Sequence, residues 1–282
     1  FFQCHSQASS VMPVEMNSQQ KIWKHRDRKT QLTHWALWFF GTALFVWCWQ
    51  LVSEKTEWFF VLDAPNIAAD IGSRMVPPRW EYIDKLWEPL WDTLNIATLG
   101  TLLALVLAVP VAFLAARNTS PSPALLRPIA LLIIVSSRSI NSLIWSLLLV
   151  SILGPGVLAG IIAIALRSIG FVAKLLYEAI EEIDETQVEA ITATGASRSQ
   201  VIAYGIVPQI LPTFVGVSVF RWDINIREST VLGLVGAGGI GLQLQASLNV
   251  LAWPQVTLIL LTIFLTVLFS EWLSAKARHA II

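Results

Sequence analysis

Six apolar stretches run along this chain, and each is long enough, or nearly so, to cross a lipid bilayer as an α-helix. About 20 apolar residues are needed to span the hydrocarbon core. The stretches cover residues 35–52, 94–116, 125–153, 157–172, 201–220 and 251–272. Because the backbone in lipid must satisfy its own hydrogen bonds, we predict an all-α, polytopic integral membrane protein with about six transmembrane helices.

The composition also favours a membrane protein. The chain is 55% hydrophobic and 13% charged, whereas a soluble domain carries about 25% charged residues. Its formal net charge is zero, which gives no reason to expect nucleic acid as a partner. The two cysteines, Cys4 and Cys48, and the four histidines do not form a metal-ligand pattern. We therefore predict no metal site and, without an H-E-x-x-H or G-x-S-x-G motif, no catalytic residue.

Basic residues near the apolar stretches predict the orientation. The N-terminal tail, residues 1–33, contains Lys21, Lys24, Arg26, Arg28 and Lys29. Because lysine and arginine concentrate on the cytoplasmic side, the tail is expected there. We also expect it to be largely disordered, and Met16 is a candidate for the natural start. Six crossings would return the C-terminus to the cytoplasm.

The remaining domain boundaries follow from the same pattern. We predict a first transmembrane helix at 34–53, an external loop at 54–92 and a core domain at 93–282. Trp80, Trp87 and Trp91 in the loop favour a helix at the outer membrane interface. The long third stretch is expected to be one tilted or broken helix, interrupted at Arg138–Asn141.

A polar segment, residues 186–208, separates the fourth and fifth apolar stretches. Thr186 and Glu189 have the T-x-x-E spacing of a helix capping box, and Ser197 and Gln200 repeat it as S-x-x-Q. Gly195 stands between the two boxes and suits the left-handed backbone that ends a helix. We predict two short helices that meet at Gly195, with an ordinary inter-helix loop as the alternative.

This segment resembles the cytoplasmic loop of permeases of ATP-binding-cassette (ABC) importers, whose pattern is E-A-A, then a glycine, then I-x-L-P. The matching residues are Glu189, Ala190, Gly195 and Pro208, and the departures are Ile191, Gly205 and Val207. The resemblance implies a coupling loop at about 175–200 that receives an ATPase subunit. Its expected coupling residues are Thr186, Glu189, Ala190, Gly195 and Ser197.

A second segment, N-I-R-E-S-T-V-L-G-L-V-G-A-G-G-I-G at 225–241, narrows the resemblance. Its glycine-rich part is similar to methionine-type and phosphonate-type permeases. The preceding N-I-R-E-S-T, together with Arg138-Ser-Ile-Asn141 upstream, is more similar to the phosphonate type. Covering roughly residue 91 to the C-terminus, the resemblance implies a type I ABC importer permease fold, with the glycine-rich turn near the outer gate. A nucleotide-binding P-loop is disfavoured because the Gly-Lys-Ser/Thr ending is missing.

Charged residues within or beside the apolar stretches need partners or a cavity. They are Arg138, Arg167, Arg221, Asp223, Arg227 and Glu228. Asp223 and Arg227 are four apart and can pair along a helix, and an internal network, including an Arg221–Asp223 pair, is one interpretation. In the other, arginines bind an oxyanion by forked hydrogen bonds along a translocation pathway. The candidates for that pathway or its gate are Arg138, Asn141, Arg221, Asn225, Arg227, Gly236, Gly238 and Gly239.

The resemblance implies the permease subunit of an ATP-driven importer for phosphonate or a related phosphorus oxyanion, such as phosphite, phosphate or a phosphate ester. Implied partners are a second permease copy, two ATPase subunits, a periplasmic or lipid-anchored substrate-binding protein and membrane lipid. The chain would hold no cofactor, ATP and Mg being bound by the ATPases, and would lie in a bacterial inner membrane. A permease for methionine or another small nutrient is one alternative, and an intramembrane enzyme or a channel is another.

Overall fold

The structure, a computed structural model, describes residues 14–17, 20–23 and 28–281, with side chains from residue 30 to residue 278. The chain divides into two compact units, residues 1–69 and residues 70–282. Each unit is described by itself.

The described part of the first unit contains a hairpin, an apolar helix and the first part of a second helix. Strands β1 (Val14–Asn17) and β2 (Gln20–Trp23) pair antiparallel. Helix α1 follows at Arg28–Lys55, and its apolar window has no buried residue. Of the predicted tail at 1–33, the described parts are this hairpin and the beginning of α1, and the rest lies outside the described residues.

The second unit is helical throughout its described residues. Helix α2 (Trp58–Met75) leads into it, and a 3₁₀ turn follows at Trp80–Lys85. The other helices are α3 (Trp87–Ala115), α4 (Leu126–Ser139), α5 (Ser142–Leu153), α6 (Val157–Glu181), α7 (Glu185–Ala193), α8 (Arg198–Val201), α9 (Val207–Leu232), α10 (Ile240–Asn249) and α11 (Trp253–Ile281). A π-turn at Ile202–Ile206 joins α8 to α9, and a 3₁₀ turn at Gly233–Val235 follows α9.

Five stretches of the described chain are long and apolar enough to cross a membrane. They are Thr30–Lys55, Trp87–Ala115, Val157–Glu181, Arg198–Val235 and Trp253–Arg278. The pair α4 and α5 makes a sixth if it counts as one span. The prediction of an all-α core with about six transmembrane helices is therefore confirmed.

The third span is broken, and the break falls where the sequence predicted an interruption. Helices α4 and α5 are bent by 89° across Ile140–Asn141. Asn141 has extended backbone and caps α5, because its side chain accepts a hydrogen bond from the Leu143 N–H at 3.2 Å.

Helix α6 is the centre of the second unit, with α3, α4, α5 and α9 packed around it. Small residues make this possible, since they let helix backbones approach closely. A Cβ on Gly100 of α3 would lie 2.8 Å from Ile164 Cγ2, and one on Gly170 of α6 would lie 2.6 Å from the Ile134 carbonyl of α4. The central position of α6 places Ser168, near its middle, inside the helix bundle.

Candidate functional site

The polar segment after α6 begins with a capped helix, but the cap differs from the prediction. Asp184 has extended backbone, and its Oδ1 accepts the Thr186 N–H at 3.0 Å. Hydrogen bonds from the Thr186 side chain and then from its backbone lower the pKa of Asp184. The predicted Thr186–Glu189 capping box is therefore wrong. Because α7 already begins at Glu185, Thr186 lies inside its first turn and cannot be the cap.

The turn between the two short helices has the predicted conformation. Gly195 adopts φ +81°, and its N–H donates to the Thr192 carbonyl at 3.0 Å. Ser197 and Gln200 form the second capping box, with the Ser197 N–H donating to Gln200 Oε1 at 2.8 Å. We call residues 184–201 the elbow.

Hydrogen bonds of two residues, Gln209 and Arg198, attach the elbow to the helix bundle. Gln209 of α9 accepts the Asp184 N–H at 3.0 Å and donates to the Gly205 carbonyl at 2.7 Å. Arg198 donates to the Thr119 carbonyl at 2.8 Å. These contacts join the start of α7 to the first turn of α9 and join α8 to the loop that follows α3.

The elbow also has a face that nothing covers within the described residues. The exposed residues include all five predicted coupling residues, Thr186, Glu189, Ala190, Gly195 and Ser197. Their exposure leaves room for a docking partner, and their coupling role stays a prediction.

Inside the helix bundle, Glu228 brings two arginines together. Its Oε1 lies 3.0 Å from Arg167 Nη1 on α6, and its Oε2 lies 3.3 Å from Arg221 Nη2 on α9. We call these three residues the Glu228 cluster. Arg167 is the eleventh residue of the 25-residue α6, about 15 Å from the start of the helix at 1.5 Å per residue. The cluster therefore lies near the middle of the span.

Neutral side chains fix the buried arginine of the cluster. Arg221 Nε donates to Ser168 Oγ at 2.9 Å, and the guanidinium lies 5.3 Å from the ring centroid of Phe171. Asn225 donates to Thr101 Oγ1 at 2.7 Å and to Ser168 Oγ at 3.2 Å. Predicted pathway residues Arg221 and Asn225 are thus in one hydrogen-bond network that joins α3, α6 and α9.

A second ion pair lies on another side of α9. Arg227 pairs with Asp223, as their spacing predicted, and Asp223 Oδ1 accepts from Ser270 of α11 at 2.8 Å. The alternative Arg221–Asp223 pair is wrong. Two helical residues that are two positions apart point about 200° away from each other, so Arg221 faces α6 while Asp223 faces α11.

The broken span contributes one of its two candidate residues to the cluster. Asn141 Oδ1 accepts from Arg167 Nη1 at 3.4 Å, and Ser142 Oγ accepts from the same atom at 3.2 Å. Arg138 is exposed and has no ion pair among the described side chains. Sequence reasoning did not predict the pairing of Arg167 with Glu228, because it joins different helices and no local spacing reveals it.

The glycine-rich turn lies at the opposite end of α6 from the elbow. Gly236, Gly238 and Gly239 have φ values of +91°, +82° and +74°. The Gly156 N–H donates to the Gly236 carbonyl at 3.0 Å, and the Ile240 N–H donates to Thr93 Oγ1 at 2.8 Å. The turn is thus hydrogen-bonded near the starts of α6 and α3, and its backbone packs closely against both helices. A role in the gate stays a prediction.

No metal centre emerges from the part of the chain that the structure describes. Within it, no three His, Cys, Asp or Glu side chains are grouped so that they could hold a metal ion.

Residues 68–276 match the family described as the binding-protein-dependent transport system inner membrane component. The chain is 39% identical over 240 residues to a phosphite transport system permease protein of Stutzerimonas stutzeri, covering 85% of this chain and 86% of that one. It is 36% identical over 253 residues to a phosphate-import permease protein of Mycolicibacterium smegmatis, covering 90% of this chain and 44% of the relative.

The fold also resembles a solved transporter. The inward-facing MetNI methionine ABC transporter matches 72% of this chain and 99% of its own chain, with a TM-score of 0.63 and 22% identity. At this identity the likeness shows the fold alone, which is that of a type I ABC importer permease.

Permeases of this family work with ATPase subunits and a substrate-binding protein, and they are not themselves enzymes. The alternatives of an intramembrane enzyme and of a self-sufficient channel are thereby removed. On the family match and the two permease relatives, the chain belongs to the inner-membrane, multi-pass permease subunits of ABC importers.

Proposed function

We propose that this chain forms the translocation pathway for a phosphorus oxyanion, with phosphite, phosphonate and phosphate as the candidate cargoes. The observation that carries the proposal is the 39% identity to the phosphite permease, which extends over 85% of this chain. Methionine permeases are more distant, at 26–27% identity over 56–67% of the chain.

The chemistry of the bundle supports an anionic cargo. Arg167 and Arg221 converge near the middle of α6, where a charged side chain is costly unless it serves a pathway or a partner. Guanidinium groups present paired N–H donors that match the oxygens of a phosphate-like anion. Methionine also has a carboxylate, but its ammonium group makes it neutral overall, so two arginines that share one carboxylate favour a phosphorus oxyanion over it.

In the proposed assembly, two copies of the chain form the pore, and two ATPase subunits dock on the elbows. ATP and Mg are bound by the ATPases, and this chain holds no cofactor. With the N- and C-termini in the cytoplasm, the elbow faces the ATPases and the glycine-rich turn faces the binding protein outside. The basic tail residues and the distribution of arginine near the span ends support this orientation.

Coupling would proceed by rigid-body motion. Closure of the ATPases draws the two elbows together, and the contacts of Gln209 and Arg198 pass that displacement to α9 and to the loop that follows α3. Packed helices move as units and are bistable, so the displacement switches the pathway between inward-facing and outward-facing states.

The cargo is tested with the complete complex of permease, ATPases and binding protein in proteoliposomes. We expect ATP-dependent accumulation of phosphite or methylphosphonate, and no accumulation of methionine. Methionine uptake without phosphite, phosphonate or phosphate uptake would overturn the proposal.

The orientation is tested separately, by a Ser197→Cys variant in a background where Cys4 and Cys48 are serine. Ser197 is exposed on the elbow, so a membrane-impermeant thiol reagent should label it only in inside-out vesicles. Labelling in intact cells would place the elbow outside.

A further inference from the structure

The Glu228 carboxylate binds two guanidinium groups in the way that a free phosphorus oxyanion could bind them. Its Oε1 faces Arg167 Nη1 at 3.0 Å, and its Oε2 faces Arg221 Nη2 at 3.3 Å. Arg221 Nη2 also lies 3.4 Å from Oε1, so arginines from two different helices bind the one carboxylate. The same two donors would bind two oxygens of a tetrahedral oxyanion in place of the carboxylate.

The Glu228 cluster has more positive than negative charge, since two arginines share one carboxylate. Its other hydrogen-bond partners, including Ser168 and Asn141, are neutral. Asp223 does not neutralise this excess positive charge, because Arg227 and Ser270 bind it on the side of α9 that faces α11. An uncompensated cation at this depth favours the arrival of a further anion.

The cluster is buried on one side and open on the other. The Arg221 side chain is 3% exposed, whereas that of Arg167 is 32% exposed and that of Glu228 is 15% exposed. Among the described residues, neither Arg167 Nη2 nor Arg221 Nη1 has a hydrogen-bond partner. Arg221 is therefore held in place by its burial, while the more exposed Arg167 is accessible to an incoming anion. Arg167 Nη2 and Arg221 Nη1 are available as further donors to that anion.

We propose that Arg167 and Arg221 form an oxyanion-binding site of the permease itself, in which the Glu228 carboxylate is the resident anion that cargo displaces. This inference rests on the proposed function for the identity of the cargo. When one cargo anion leaves, the Glu228 carboxylate returns to both guanidinium groups. They are then never left buried without a negative partner. This exchange also limits the residence of the cargo, because tight binding within a pathway would prevent release.

The test measures phosphite binding by calorimetry to the permease–ATPase complex in nanodiscs, without the binding protein. Glu228→Gln removes the competing charge but keeps the size of the side chain. We expect about tenfold tighter phosphite binding, since one charge-assisted hydrogen bond is then available to the anion instead of to Glu228. In the full transport system, both KM and kcat for phosphite should fall, because the cargo is held longer.

Glu181→Gln is the matched control. Glu181 is also a carboxylate of a bundle helix that faces two arginines, Arg127 at 3.6 Å and Arg117 at 3.9 Å, but it lies at the end of α6 beside the elbow. We expect unchanged phosphite binding in this variant. Adding Arg167→Gln to Glu228→Gln should abolish the gain, because one of the two donors is then lost.

Assembly is checked by size-exclusion chromatography with the ATPases. Should Glu228→Gln not assemble, Glu228→Asp takes its place, since it keeps the charge and withdraws the carboxylate from both arginines; about threefold tighter binding is then expected. Phosphite binding no tighter than in the wild type, in whichever of the two assembles, overturns the resident-anion site.

Different results would refute the proposed cargo and the resident-anion site. Wild-type uptake of sulfate but of no phosphorus oxyanion would refute the proposed cargo. Tighter sulfate binding in Glu228→Gln would then still support the resident-anion site, whereas unchanged sulfate binding would refute it as well.

Discussion

Gly195 and Gly241 show that the same residue type meets different physical demands in two turns of one chain. At Gly195, in the elbow, φ is +81° and a Cβ would meet nothing within 4 Å. At Gly241, at the start of α10, a Cβ would lie 2.0 Å from the Thr230 carbonyl oxygen. Position 195 thus needs glycine for backbone conformation, and position 241 needs it for space. A change at Gly195 should act locally, and a change at Gly241 should act on the whole bundle.

The largest effect is expected from Gly241→Ala. The added methyl group would overlap a backbone oxygen, which cannot move aside as a flexible side chain can. Overpacking of this kind costs about 3 kcal/mol or more. We expect a markedly lower thermal unfolding temperature in detergent, with little assembled complex. An unfolding temperature equal to that of the wild type would remove the distinction between the two turns.

A smaller, local effect is expected from Gly195→Val. A β-branched residue resists positive φ, but the open space around Gly195 spares the bundle. We expect normal expression and thermal stability, with ATP-driven uptake lost and ATPase association weakened.

Gly195→Asn is the matched control for that variant, since asparagine tolerates the left-handed conformation. It should retain most of the uptake. Normal uptake in Gly195→Val would mean that the elbow is not the coupling element.

Asp184→Ala should loosen only the first turn of α7, because it removes the acceptor for the Thr186 N–H. Hydrogen exchange of the α7 amides should become faster, while exchange in α6 is unchanged. Asp184→Asn keeps a capping oxygen and should protect the helix. Equal exchange in the alanine variant and the wild type would show that the cap does not hold the helix.

The Asp184 cap should also depend on pH. Since folding lowers the pKa of this carboxyl, its contribution is complete above the pKa of the unfolded chain. The contribution is lost as pH falls through the lower, folded value. In Asp184→Asn, the protection of α7 should not change over the same acidic range.

The smallest effect is expected from Gly216→Ala in α9, where a Cβ would meet nothing within 4 Å and the backbone is helical. Alanine is favoured over glycine inside a helix by about 0.5–1 kcal/mol. We expect a slight rise in thermal stability and unchanged uptake. A destabilised protein would show that space, and not backbone freedom, limits this part of α9 as well.

Sequence reasoning succeeded where the signal is local and failed where it depends on contacts between helices. The length of the apolar stretches predicted the spans, and Gly195 predicted the turn of the elbow. Each of these signals lies within a continuous stretch of the sequence. The cap of α7 was misplaced by two residues, since Asp184 and Thr186 are both acceptable caps and the end of α6 decides between them. The joining of Arg167 to Glu228 could not be predicted, because it depends on how α6 and α9 pack.

The 89° break between α4 and α5 has a consequence for how the chain enters the membrane. With 14 and 12 residues, the two halves are about 21 Å and about 18 Å long, and each is shorter than the hydrocarbon core of about 30 Å. Contacts that support the break come from α6: the Gly170 N–H donates to Ser137 Oγ, and Arg167 donates to Asn141. Since α6 is synthesised later, we expect the third span to reach its final, bent conformation only after the fourth has emerged from the ribosome.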